Sequence, residues 1–83
     1  MNDLLREAEL VAARIEAKGG WVSPDLRVWP DTAAHMLGRS VGTLANWRAT
    51  LHPLRYVPGQ RVSYRLVDLL AFIQSGERDS IDS

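Results

Sequence analysis

Five arginines, Arg39, Arg48, Arg55, Arg61 and Arg65, fall within residues 32–67, a stretch that contains no acid. A guanidinium is a planar, permanently charged fork of donors, and it pairs with phosphate oxygens two at a time. Short polar side chains able to complete such contacts are interleaved with the arginines: Ser40, Thr43, Asn46, Gln60 and Ser63. On the 41–50 stretch, Asn46 has a donor and an acceptor side by side, the arrangement that reads an adenine edge with two hydrogen bonds. The bland alternative is a solvated surface that happens to be basic. The flanks have the opposite balance. Residues 1–31 carry six acids (Asp3, Glu7, Glu9, Glu16, Asp25, Asp31) against four bases (Arg6, Arg14, Lys18, Arg27), and residues 68–83 carry four acids and only Arg78. A formal net charge of zero therefore conceals a dipolar chain with a basic middle.

Other chemistries find little here. Cysteine is absent, so no thiolate nucleophile, zinc-thiolate site or disulfide scaffold can form. His35 and His52 are too few for a histidine cage. Asp68 is a lone carboxylate and reads as a helix-start acid, bonded to backbone or paired with Arg65, rather than as a general base. With no Gly-rich phosphate loop and no Ser/His/Asp set, the expectation is a protein without catalytic residues, metal or cofactor. No apolar run approaches membrane-spanning length, and acids interrupt the apolar N-terminal region. Those features give no membrane partner and a reducing, cytoplasmic compartment as the expectation.

Eighty-three residues allow one small domain. Leu4, Ala8, Val11 and Ile15, widened by Leu5 and Ala12, recur at helical spacing, and Gly19-Gly20 ends the run, which predicts an amphipathic helix over 3–18. Residues 21–28, with Ser23-Pro24-Asp25, read as a connector. Trp29-Pro30-Asp31 opens a second helix, proline suiting its first position, and Gly38 closes it. Ser40 caps a third helix from Val41 to about Thr50, with Val41, Leu44, Trp47 and Leu51 inward; Pro53 prevents its continuation. Pro58-Gly59-Gln60 is a turn between two β-prone runs. In the second run Val62 and Tyr64 share one face and Arg61, Ser63 and Arg65 the other. A last helix begins near Leu66, lined by Leu66, Leu69, Leu70 and Ile73, and Ser75-Gly76 ends it. The divisions are thus an N-terminal helix (1–20), a connector (21–28), a main domain (29–75) and a flexible polar tail (76–83).

Two short helices around a tight turn at Gly38 suggest a helix-turn-helix. Ala34 is small where the helices cross, and Leu44 and Trp47 fill the angle between them. Followed by a basic ribbon and another helix, the unit is a winged version. The stretches DTAAHMLGRSVGTLANWR at 31–48 and RVSYRLVDLLAFI at 61–73 resemble the small winged helix-turn-helix proteins of the excisionase and AlpA-like group, distantly related to the DNA-binding part of MerR-type regulators. The resemblance spans residues 29–74 and departs at Arg39, where the group usually has an apolar residue, and at Gly42, where a polar or basic one is common. It implies a mainly helical winged helix-turn-helix with a two-stranded β wing and an additional N-terminal helix. It also implies that the helix at 41–50 enters the major groove of double-stranded DNA while the wing touches backbone or minor groove.

With Leu44 and Trp47 inward, the outer face of the third helix centres on Gly42, Asn46 and Ala49, flanked by Thr43, Ala45 and Thr50. The candidate DNA-binding residues are Arg39, Ser40, Gly42, Thr43, Asn46, Arg48, Gln60, Arg61, Ser63 and Arg65. So few base readers imply dependence on phosphate contacts, DNA shape and repeated sites. The resemblance points to a recombination directionality factor that binds adjacent sites cooperatively, bends DNA and promotes integrase-mediated excision of a mobile element, with neighbouring protomers and an integrase or recombinase as partners. An AlpA-like transcriptional regulator is the alternative; a protein-interaction module without DNA binding is the rival from another class. Leu4, Ala8, Val11 and Ile15 either cover the chain's own core or mediate self-association along DNA. His35 reads as a surface histidine, His52 as a turn residue, and Trp21 and Trp29 as core plugs rather than base-stacking platforms.

Overall fold

A computed structural model describes residues 3–50 and 52–82, those from 76 onward as backbone. The order is α1 (Asp3–Ala17), β1 (Arg27–Val28), α2 (Pro30–Leu37), α3 (Val41–Ala49), β2 (Tyr64–Arg65) and α4 (Leu66–Asp82). The architecture is mainly helical with one small antiparallel two-stranded sheet.

Local chemistry sets most of the boundaries. Pro30 occupies the start of α2, where a missing N–H goes unused. Gly38 ends α2 in the left-handed region at φ 68°, a conformation that costs other residues about 1–2 kcal/mol. Ser40 caps α3, its Oγ accepting from the Thr43 amide at 3.0 Å. Thr50 ends α3 by turning extended while its hydroxyl donates to the Asn46 carbonyl at 3.2 Å.

One core joins all the helices. Ala8 and Ala12 of α1, Ala33 and Ala34 of α2, Leu44 of α3, and Leu66 and Leu69 of α4 are buried together with Val28, Leu54 and Tyr64. α1 lies along α4, and α2 packs on both α3 and α4. Small residues at the α1 and α2 contacts allow close helix approach, as expected for Ala34.

Five expectations are revisited, the first an open alternative and the other four corrected. The stripe of α1 faces its own chain: Ala8 is fully buried, Val11 and Ile15 pack against the same core, and Leu4 is half-buried. Self-association through Leu4, Ala8, Val11 and Ile15 would compete with that burial, so the cover-the-core alternative describes the helix. Second, the connector contains β1, which pairs with β2 in the register Arg27↔Arg65 and Val28↔Tyr64. The expected ribbon across the Pro58–Gln60 turn is reduced to a single bridge in which Val57 and Ser63 exchange both backbone hydrogen bonds. Third, the Arg61/Ser63/Arg65 face is not wholly solvent-facing, because Ser63 is fully buried. Fourth, Val41 is 48% exposed rather than inward; it stands at the first position of α3, one turn short of the core. The expectation that Leu51 faces inward lies outside the described residues. Fifth, α4 continues past Gly76 to Asp82. A glycine inside a helix costs about 1 kcal/mol relative to alanine, which weakens a helix without ending it.

Candidate nucleic-acid interface

α3 presents a small, uncharged outer face. Gly42, Ala45, Asn46 and Ala49 are exposed, while Leu44 on the opposite side is fully buried. Nothing of the protein crowds Gly42: a Cβ built there would meet only the Ser40 hydroxyl, at 3.8 Å. Asn46 makes no side-chain hydrogen bond among the described residues, so its amide is available to an external partner. Ser40 and Thr43 differ from it, since their hydroxyls lie 3.0 Å apart and bond to each other.

Of the five arginines, four are exposed: Arg39, Arg55, Arg61 and Arg65. Among the described residues the one ion pair is Arg27–Asp25, with Nε and Oδ1 3.0 Å apart, so none of these four is neutralised there by a carboxylate. Arg39 follows the Gly38 turn, its guanidinium carbon 5.8 Å from the Trp47 ring centre. Arg48 is half-buried, and its Nη1 donates to the Tyr64 hydroxyl at 2.6 Å, tying α3 to β2. That bond engages the guanidinium of Arg48, a candidate DNA-binding residue, within the protein.

The segment 55–65 is built differently from its sequence pattern. Gln60 and Arg61 are exposed near the turn. The Arg61 guanidinium carbon sits 3.9 Å from the Trp29 ring centre, and Trp21 stacks on Trp29 with centroids 3.9 Å apart and planes 10° from parallel. The two tryptophans are partly exposed and stacked in line with Arg61, where core plugs were expected. Ser63 is corrected as a candidate contact: its side chain is inside, accepting from Arg27 Nη1 at 3.0 Å. The alternation placed it outward because it sits between two arginines, and β1 from the connector closes over it.

Arg27, absent from the candidate set, is the most committed arginine. Besides Ser63 it bonds Asp25, and its amide donates to Ser23 Oγ at 2.8 Å. Asp25 is held below the ordinary carboxylate range first by the Ser23 hydroxyl and next by Arg27. The signal in the sequence was the Ser23-Pro24-Asp25 turn followed by Arg27-Val28, an alternation too short to distinguish from a loop. Leu26 contributes the corner at φ 61°, a strained setting for a side chain that packs against the core.

His52 lies flat on Trp47, with centroids 3.7 Å apart and planes 5° from parallel, and Phe72 closes on both. Its Nδ1 accepts from the Leu54 amide at 3.1 Å, so it is a packed turn residue. Burial first, and the charge of Arg39 second, hold its pKa below the ordinary 6.5. His35 is exposed on α2, and Asp68 stands in the first turn of α4. Among the described residues no three His, Cys, Asp or Glu side chains gather as a metal site, and no helix is long and apolar enough to cross a membrane. No protein-family model matches this chain, and neither a curated protein nor a solved structure matches it.

Proposed function

We propose that this chain is a winged helix-turn-helix protein that binds double-stranded DNA, with α2, the Gly38 turn and α3 as the helix-turn-helix and residues 55–65 as the wing. The observation that carries the reading is the outer face of α3. It is small, free of acids and open at Gly42, and it offers the unengaged amide of Asn46. A helix of that kind can enter a major groove closely and make one two-pronged base contact. Arg39 precedes the helix, and Arg55, Arg61 and Arg65 are exposed on the segment that follows it, suited to phosphates on either side.

Phosphate contacts outnumber base readers, which favours binding governed by backbone and shape over stringent single-site recognition. Together with the resemblance to the excisionase and AlpA-like group, that balance supports an accessory role in integrase-mediated excision, with copies on adjacent sites bending the DNA between them. Since the α1 stripe lies in the chain's own core, neighbouring copies would meet through other surfaces. A mobility-shift titration on duplex DNA of arbitrary sequence at about 50 mM salt is the direct test. A retarded complex that weakens steeply with salt is expected, and absence of any complex overturns the DNA-binding reading. Failure to stimulate excision by the cognate integrase, in a protein that does bind DNA, overturns the recombination role alone.

A further inference from the structure

We propose that Trp29, backed by Trp21, is a positioning residue that holds the Arg61 guanidinium ready for a DNA phosphate; the proposal rests on the DNA-binding reading above. Both neighbours of Trp29 lie close to its ring centre, Arg61 Cζ at 3.9 Å and the Trp21 ring at 3.9 Å. Two groups that near one centroid cannot share a ring face without overlapping. Trp29 is therefore the middle layer of a sandwich, with an arginine on one side and an indole on the other.

The middle layer is itself anchored. Trp29 precedes the first residue of α2 as its cap, and its carbonyl accepts from the Ala33 amide at 3.0 Å. α2 packs on α3, so the stack fixes the tip of the wing relative to the helix proposed to enter the groove. Arg61 is held without being consumed. The contact is with the ring, and among the described residues none of its side-chain N–H groups donates to the protein or faces a carboxylate. Arg27 makes the contrast, since its guanidinium is committed to Asp25 and Ser63. An exposed arginine ordinarily loses much rotamer freedom when it docks on a phosphate. A guanidinium already stacked on an indole loses less, while its N–H donors still need an acceptor. The opposing reading is a stack that only stabilises the fold.

A double-mutant cycle on duplex-DNA affinity separates the two, measured below the melting temperature of every variant. Arg61→Ala lowers the steepness of log K against log salt by about 0.9, one phosphate's worth. Trp29→Ala weakens binding about five-fold, the scale of an exposed cation–π contact, and Trp29→Phe, which keeps a ring face, recovers most of that loss. In the Arg61→Ala background Trp29→Ala costs nothing further. If Trp29→Ala does not fold, Trp21→Ala at the exposed end of the stack takes its place, with about a two-fold loss expected from weaker support of the same contact and none beside Arg61→Ala. Equal losses in both backgrounds, or wild-type affinity in Trp29→Ala, overturn the positioning role while leaving DNA binding intact. A wild-type protein that binds no duplex DNA brings down the DNA-binding reading, and this proposal with it.

Discussion

Ser63 and Arg27, thirty-six positions apart, are joined by a hydrogen bond of 3.0 Å that runs from a partly exposed guanidinium to a fully buried hydroxyl. The bond fastens the segment before α2 to the residue that leads into β2, beside the Arg27↔Arg65 backbone pairing. Arg27→Ala removes the hydroxyl's partner in a closed site and should destabilise the fold by about 1–3 kcal/mol. Ser63→Ala leaves the guanidinium able to reach water, so its cost should be smaller, about 1 kcal/mol. Urea denaturation of both variants checks the order. Arg27→Ala as stable as wild type would show that the side-chain bond to Ser63 adds nothing to the backbone pairing of β1 with β2.

The N-terminal helix should be indispensable to the fold. Removing residues 1–18 takes Ala8 and Ala12 out of the core, together with the Val11 and Ile15 side chains packed against it, and uncovers the side of α4 on which α1 lies. The fragment 19–83 should melt well below the intact chain, and loss of stability should precede any change in DNA binding. A fragment that melts like the full protein would return the α1 stripe to a role between protomers.

The helices were legible because their signals are local. Trp29-Pro30 and Gly38 bound α2, and Ser40 caps α3, each through a contact within a few residues. The small sheet was not legible in the same way. β1 has two residues, too few for a periodicity, and its pairing with β2 depends on chain segments far apart in sequence. The error at Ser63 follows directly, since alternation tells which side chains share a face but not whether another segment covers it. The arginines were legible as a group from the acid-free stretch. Their division was not: Arg48 turned inward to Tyr64, Arg61 stacked on Trp29, and Arg27, outside the stretch, became the partner of the buried Ser63.

Salt dependence should count the exposed arginines. If Arg39, Arg55, Arg61 and Arg65 each meet a phosphate, log K should fall against log salt with a slope of about −3.6. Arg48 is held by Tyr64, so Arg48→Ala should leave the slope nearly unchanged while lowering stability through the loss of the 2.6 Å bond. Affinity that does not change between about 50 and 200 mM salt would remove the phosphate-dominated picture.

Gly42 and Asn46 should separate approach from readout. Gly42→Ala has room for its methyl group and should stabilise α3 by up to about 1 kcal/mol, yet weaken DNA binding because the helix can no longer come as close. Asn46→Ala should relax preference at one base pair by roughly 1–3 kcal/mol, with Arg61→Ala weakening all sequences about equally. Competition titrations across single-base variants of a bound site give both results. Base preference that shifts with Arg61 and not with Asn46 would exchange the roles of wing and helix.

Mild acid should loosen the fold through His52. Its ring is stacked on Trp47 at 3.7 Å, and its Nδ1 accepts from the Leu54 amide, which requires that nitrogen to be unprotonated. Burial, and then the charge of Arg39, lower its pKa from the ordinary 6.5. In the unfolded chain His52 takes up a proton near that ordinary value, and in the folded chain it does so only at lower pH. Between the two values the unfolded state binds more protons, so stability rises with pH across that window. The contribution is complete above 6.5 and declines as pH falls toward the folded value. His52→Phe keeps an aromatic ring on Trp47 and removes the proton site, though it gives up the bond to Leu54. It should flatten the dependence of the urea midpoint on pH between about 7 and 5, whatever its effect on stability at neutral pH. The same slope in His52→Phe as in the wild type would assign the acid sensitivity to another group.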